Sequence, residues 1–310
     1  MHQILVATAP IYLLIALGYG AGRAGTFTKA DARVLGRFVV GFALPALIFR
    51  ALTQRPLAEV LEARYLAAYA FGSLLALAIG VGVSMFAARR GLTEGAVNGM
   101  GMALSNSGFI GYPILSQLLG STAGTALALN MVIENAVMLP LVLGLAEAGR
   151  SGANGWRAAA LATLRQLPRN RLVQAIAAGF AFSFSGLEMP AVLGRSIELL
   201  ALASAAIAVF VIGASLVGVK LRGEIGAMTG VATGKLLLHP LGVALGFALL
   251  PAVAPEMRMA GIAYAAMPML SIYPAMAQQY GRESFSAATL VVATTLSFFT
   301  LSTLLMLLHS

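Results

Sequence analysis

The chain has no cysteine, three histidines and a single aspartate, Asp31, in 310 residues. Without cysteine there is no disulfide, no thiolate metal site and no cysteine nucleophile. Two of the histidines, His2 and His309, stand at the extreme ends, leaving too few imidazoles for a histidine metal cluster. Charge is equally scarce. The 20 Lys+Arg and 11 Asp+Glu make up 10% of the chain, where soluble domains carry about 25%. So few charges cannot cover the surface of a water-soluble globule of this size. No G-x-x-x-x-G-K-[ST] run occurs, so any driving force comes from gradients rather than from ATP. No catalytic dyad stands out either. Neither an enzyme nor a bound cofactor is expected.

Apolar residues are what the chain has in excess: 59% of it is hydrophobic, with 34 Gly and 12 Pro spread through the apolar runs. This composition excludes disorder, and Gly and Pro are more frequent in membrane helices than in soluble ones. The net charge of +9 then describes loops, not nucleic-acid binding. The expected class is an all-α integral membrane protein. With about 20 apolar residues needed per crossing, ten spans are expected, at roughly 4–22, 34–54, 65–88, 95–118, 122–147, 170–186, 195–219, 226–250, 258–280 and 285–308. A β-barrel needs alternating ten-residue strands, which the continuous run Leu74–Ala88 contradicts. The first span lacks a basic n-region and an A-x-A cleavage pattern, so it reads as a span and not as a signal peptide.

Alternate loops are strongly biased in charge. Loops 1–2, 3–4, 5–6, 7–8 and 9–10 hold 14 of the Lys+Arg residues, the opposite side holds four (Arg55, Arg64, Arg195, Arg258), and Arg50 and Lys235 lie within spans. Basic loops stay cytoplasmic, which puts both termini outside; the membrane expected is a bacterial inner membrane.

Tyr112-Pro113 recurs as Tyr273-Pro274, 161 residues later, and the same offset maps Gln117 onto Gln278 and Gly120 onto Gly281. It also superposes spans 2–5 on spans 7–10. Two five-helix units follow, at 1–148 and 170–310, joined by a cytoplasmic connection at 149–169. An odd number of helices per unit turns the second upside down, the inverted-repeat plan of secondary transporters. The competing explanation is chance similarity between alanine-rich helices.

Span 4 carries Ser105-Asn106-Ser107-Gly108 and Gly111-Tyr112-Pro113; span 9 carries Met267-Pro268 and Ser271-Ile272-Tyr273-Pro274. Proline removes an N–H and clashes with the preceding turn. Unwound backbone at membrane depth survives only where protein or a watery cavity covers it. Proline also favours the first turn of a helix, so Pro113 and Pro274 are expected to start second half-helices. Their free N–H groups suit a carboxylate. An ordinary proline kink is the alternative at each position.

Few ionisable side chains lie at depth. Glu134, with Asn130 one turn before it, is about 18 Å into span 5. It reads either as a proton carrier or cation ligand, or as a protonated Glu bonded to its neighbours. Lys235, with His239 four residues on, reads as a counter-ion for an organic acid, as a partner of Glu134, or as a snorkelling lysine. His239 reads as a hydrogen-bonded packing residue, and Arg50 as a snorkelling one.

These features resemble the auxin efflux carrier family, which includes plant auxin carriers and bacterial malonate and malate permeases. The resemblance covers essentially the whole chain. Its sharpest element is N-x4-G-x-P, matched by Asn106, Gly111 and Pro113, followed by A-x-P…A-x-x-Y, matched by Ala266, Pro268, Ala277 and Tyr280. Two departures stand out: the prolines of span 9 are six residues apart (Pro268, Pro274) where plant carriers have five, and the long cytoplasmic loop is absent. The resemblance implies a scaffold domain of helices 1, 2, 6 and 7 and a transport domain of helices 3–5 and 8–10 that moves as an elevator. Helices 4 and 9 would cross at their prolines, with Asn106 touching substrate.

The candidate substrate-binding set is therefore Asn106, Ser107, Gly111, Tyr112, Pro113, Lys235, Pro268, Ser271, Tyr273 and Pro274. Glu134 and Asn130 are the candidate ion-coupling pair, and no metal site is expected. The expected partners are a small organic anion, a coupling proton or sodium ion, the lipid bilayer, and a second copy through the scaffold domain. A carrier of organic anions is the first functional reading. A cation or proton exchanger built on Glu134 is the second, although the paired mid-membrane aspartates of sodium/proton antiporters are missing.

Overall fold

The computed structural model describes residues 2–53, 62–151, 157, 161, 162, 164, 165, 167–219, 224–250 and 253–309. Arg55, Lys220 and Arg222 of the charge count, and part of the 149–169 connection, lie outside the described residues. Helices dominate, among the described residues: α1 (His2–Arg23), α2 (Lys29–Thr53), α3 (Ala63–Ala87), α4 (Leu92–Ala103), α5 (Tyr112–Leu119), α6 (Ser121–Arg150), α7 (Arg171–Ser185), α8 (Ala191–Ser215), α9 (Ile225–Leu249), α10 (Pro255–Ala265), α11 (Tyr273–Gln278) and α12 (Glu283–His309). Six of them (α2, α3, α6, α8, α9 and α12) are long and apolar enough to cross a membrane, and α7 is a shorter apolar helix. The protein is thus an all-α, multi-pass membrane protein.

The two weak points of the sequence are where helices stop. Span 4 divides into α4 and α5, and span 9 into α10 and α11. Helix α5 begins at Tyr112 and α11 at Tyr273, 161 residues further on, and α4 and α10 end at Ala103 and Ala265, within one residue of that offset. Pro274 lies in the first turn of α11, as expected. Pro113 does not start the winding in span 4. A π turn, Ser107–Gly111, precedes α5, so the helical donors begin about six residues earlier. The proline's missing N–H falls where π winding gives way to α winding.

Further π turns interrupt α2 at Val39–Ala43, α3 at Val83–Ala87, α6 at Ile133–Met138 and α9 at Gly234–Leu238. Sequence periodicity had not shown them.

The chain forms two compact units. The first comprises Met1–Ala63, Ser107–Met131 and Pro168–Gly218. Its framework is α1 against α8 and α2 against α7 and α8. Arg50 does not simply reach for the surface: its guanidinium donates to Glu198 at 2.9 Å, and Arg195 holds the other oxygen of that carboxylate at 2.7 Å.

The second unit comprises Arg64–Asn106, Val132–Leu167 and Val219–Ser310. Here α3 and α9 meet through small residues. A Cβ added to Gly72 would collide with the backbone of Val243, and one on Gly246 would lie 2.5 Å from the carbonyl oxygen of Ala68. Small residues let helix backbones approach closely without lipid between them. That approach sets polar side chains of the two helices face to face.

At one end of the second unit four charges alternate. Arg90 reaches Glu94 at 2.8 Å and Glu224 at 2.6 Å, while Arg282 reaches Glu94 and Glu224, each at 2.7 Å. Hydrogen bonds from Arg282, followed by the charges of Arg282 and Arg90, hold the Glu224 carboxyl below its ordinary value of 4.5. Its contribution is therefore complete above that value and is lost as pH falls through the lower folded one. Glu224→Gln is expected to remove an acid-sensitive stabilisation of at most about 1 kcal/mol, since half-exposed ion pairs are screened. Melting curves of both proteins between pH 7 and 3 check this: the gap should narrow as pH falls below the ordinary carboxylate value, and a constant gap at every pH would reject it.

Candidate functional site

The breaks in spans 4 and 9 meet in the second unit. Ser105 and Met269 form an antiparallel bridge, and the Asn106 N–H donates to the Pro268 carbonyl at 2.8 Å. The Asn106 amide Nδ2 donates to Ser271 Oγ at 2.6 Å. Unwound backbone is thus partly satisfied by the other break, which is how a non-helical stretch is tolerated at membrane depth. Asn106 and Pro268 are buried, and Ser271 is partly exposed.

Lys235 binds both breaks. It is 0% exposed, which excludes snorkelling. Its ammonium donates to Ser105 Oγ at 2.6 Å and to the Ala265 carbonyl at 2.9 Å, and lies 2.6 Å from His239 Nδ1. An ammonium has three donors and no acceptor, so His239 Nδ1 accepts. The ring proton is then on Nε2, 3.0 Å from Ser73 Oγ, to which it donates. Ala265 ends α10, so its carbonyl is one of the orphans of a helix C-terminus, where a cation is favoured. All three protons of Lys235 are engaged.

Glu134, 4% exposed, accepts from the Tyr69 hydroxyl at 2.9 Å. Tyr65, Tyr69 and Ser73 follow one another at four-residue spacing on α3, all buried, and the Tyr69 ring stands edge-on to His239. This stripe links the Glu134 and Lys235 groups, and the sequence reading missed it. The signal was there: three hydroxyl side chains at four-residue spacing on one face of a largely apolar helix. Glu134 and Lys235 both lie in π turns, as such turns often do at functional positions.

The remaining candidates are placed as follows. Tyr273 is buried and Pro274 partly exposed in α11; the Tyr273 ring covers Gly101, where an added Cβ would sit 2.9 Å from it. Ser107, Gly111, Tyr112, Pro113 and Asn130 belong to the first unit. Of these Ser107, Gly111, Pro113 and Asn130 are buried and Tyr112 is partly so. The structure therefore brings Asn106, Ser271, Pro268 and Lys235 together, with Ser105 and Ala265 as members that the sequence reading had not assigned. Among the described residues no group of three or more His, Asp or Glu side chains could hold a metal ion.

Ionisable side chains this deep in apolar helices are retained where solutes or ions pass, and the class this defines is a multi-pass membrane transporter. The chain belongs to the membrane transport protein family, which it matches over residues 3–307; it is a transporter and not an enzyme. Among its relatives is a putative malonate transporter of Rhizobium meliloti (strain 1021), 28% identical over 311 residues, covering 100% of this chain and 97% of the relative. The uncharacterized transporter YfdV of Escherichia coli (strain K12) is 29% identical over 247 residues, 76% of each chain. Auxin efflux carrier component 2 of Arabidopsis thaliana is 29% identical over 149 residues, 47% of this chain and 23% of the plant protein.

Proposed function

We propose that this chain is a secondary carrier of small organic anions, carboxylates such as malonate, malate or auxin-like acids, bound beside Asn106 at the crossing of the two broken helices. The observation that carries this reading is the Asn106–Ser271 pair, 2.6 Å long and only partly buried, at a point where the backbone leaves the helix. An incoming carboxylate can take the amide and hydroxyl protons that the pair now shares. Lys235 lies behind it, one residue away through Ser105, and supplies positive charge without giving up its own bonds. The full-length relative named as a malonate transporter supports the substrate class. Ser107, Gly111, Tyr112, Pro113, Tyr273 and Pro274 complete the proposed set.

The wider plan belongs to the same proposal: ten spans in a 5+5 inverted repeat, both termini outside, and a bacterial inner membrane. Helices 1, 2, 6 and 7 form a scaffold, which also pairs two copies. The other six carry substrate as an elevator. The recurrence of element boundaries at the 161-residue offset supports the repeat. The Tyr69–Glu134 bond makes Glu134, with Asn130, the proposed coupling group. It also motivates the second reading, a cation or proton exchanger.

Proteoliposomes separate these readings. Counterflow of labelled malonate and related carboxylates is expected, whereas pH-driven sodium flux without organic solute would favour the exchanger. Asn106→Ala is expected to weaken binding roughly tenfold to a hundredfold, the effect of about 1–3 kcal/mol from one lost hydrogen bond, with a smaller change in melting temperature. Unchanged affinity in the folded variant removes Asn106 from the site. In the same vesicles Glu134→Gln is expected to keep counterflow and lose pH-driven accumulation. Retained accumulation places the coupling elsewhere.

A further inference from the structure

Within the first unit, the last turn of α2 and the first turns of α8 enclose a cavity of about 490 Å³. Phe49, Met189 and Ile197 give it apolar walls. Its charged lining residues, among those described, are Arg50, Arg195 and Glu198. Both guanidiniums share the one carboxylate, so one positive charge is left over. Each guanidinium carries five N–H donors and uses one of them on Glu198. These groups are within reach of a ligand: the Arg195 side chain is 66% exposed and that of Arg50 31%.

The face of α8 that carries Arg195 continues as hydrocarbon. Val192, Leu199, Leu202 and Ala206 follow Arg195 along one side of the helix at three- and four-residue spacing, all exposed, as residues of a single stripe do. Helix α8 has 25 residues, about 37 Å of length, against a hydrocarbon core of about 30 Å. Arg195 is the fifth of them, about 6 Å from the end, where a long side chain extends to the headgroups. The stripe from Leu199 onward then lies at the depth of acyl chains. A cation above an apolar stripe fits an amphiphile with an anionic head.

A second copy of this chain is the other candidate for the face. Two copies side by side in one bilayer share a two-fold axis along its normal, so each residue meets its counterpart at the same depth. Arg195 would then face Arg195, and like charges across an interface are unfavourable. A zwitterionic lipid fits less well than an anionic one, since its head brings a further cation to a cavity that already has one in excess.

We propose that the cavity and the stripe together bind one anionic phospholipid of the bilayer, its phosphate on Arg50 and Arg195 and an acyl chain along Leu199 and Leu202.

The test uses the full-length protein in nanodiscs and phosphatidylglycerol carrying a photoreactive diazirine in one acyl chain, with labelled peptides mapped by mass spectrometry. Saturable labelling within residues 192–206 is expected. Unlabelled phosphatidylglycerol should compete about tenfold better than phosphatidylcholine, the fold-change of one charge-assisted hydrogen bond. Arg195→Gln, at an exposed position, should melt as the wild type does and bring phosphatidylglycerol down to the level of phosphatidylcholine. Labelling that is absent or does not saturate, equal competition by the two lipids, or a preference that survives in Arg195→Gln overturns the proposal. So does competition by malonate or glycerophosphate as strong as by the intact lipid, which makes the cavity a site for soluble anions. The chain has no native cysteine, so Leu199→Cys reads the remaining candidate. Under oxidant in proteoliposomes it is expected to stay uncrosslinked, and a disulfide joining two Leu199→Cys chains gives the face to a second copy and overturns the proposal.

Discussion

Lys235→Met is expected to abolish substrate accumulation and to lower stability by at least about 1–3 kcal/mol, the cost of a buried acceptor left unpaired. The cause is the acceptors left behind. Ser105 Oγ, the Ala265 carbonyl and His239 Nδ1 each lose a donor in a buried cluster, and an orphaned buried acceptor costs about 1–3 kcal/mol. The three losses are not additive, because the breaks relax together once the ammonium is gone. Lys235→Arg is expected to fail as well: a planar fork does not reproduce three converging bonds from one nitrogen. Melting of the purified protein, read beside malonate counterflow, distinguishes two roles. If Lys235→Met melts as the wild type does but loses transport, the lysine serves the substrate and not the crossing. If it keeps both, the clamp has no importance.

The second large effect is expected in the first unit, where α1 and α8 touch backbone to backbone. A Cβ on Gly213 would run into the Ile15 carbonyl oxygen and lie 2.8 Å from the Tyr19 nitrogen, and one on Gly18 would run into the Phe210 carbonyl oxygen. These glycines are needed for the room they leave, which no rotamer change can provide. Gly213→Ala is expected to cost about 1–3 kcal/mol, the usual price of overpacking, and Gly213→Val more. Combining Gly213→Ala with Gly18→Ala should cost less than the sum, since one separation of the helices relieves both clashes. Gly20→Ala on the same helix, where an added Cβ meets nothing within 4 Å, is the control and should be neutral. Detergent melts that rank Gly20→Ala with Gly213→Ala would dismiss the close crossing.

The breaks were legible because glycine and proline act locally. Pro268 and Pro274 do flank the end of α10 and the start of α11, whereas Gly111 and Pro113 fall inside winding that begins at Ser107, and the span 4 break lies just before it, after Ala103. The class was legible from charge scarcity alone. Less could be read of what the polar residues bind. Lys235 left three readings open in the sequence, and its actual acceptors lie 30 and 130 residues away, besides His239 at four. The π turns left no trace in the hydrophobic pattern, since a turn closing i→i+5 shifts the following residues around the axis while their composition stays the same. Nor does an i, i+4 rule extend across such a turn. Asn130 lies in the α-helical part of its helix and Glu134 in the π turn that follows, so four-residue spacing alone does not align them.

The pairing of the two breaks has a consequence for biogenesis. Ser105 waits for a lysine 130 residues downstream, and Asn106 for a serine 165 residues downstream. While the ribosome works through that interval, the interrupted α4 stands in the translocon with its peptide groups lacking their final partners. The missing bonds arrive only when the chain past Ser271 has been inserted. A product truncated before that point keeps the gap permanently, with polar backbone that hydrocarbon cannot solvate.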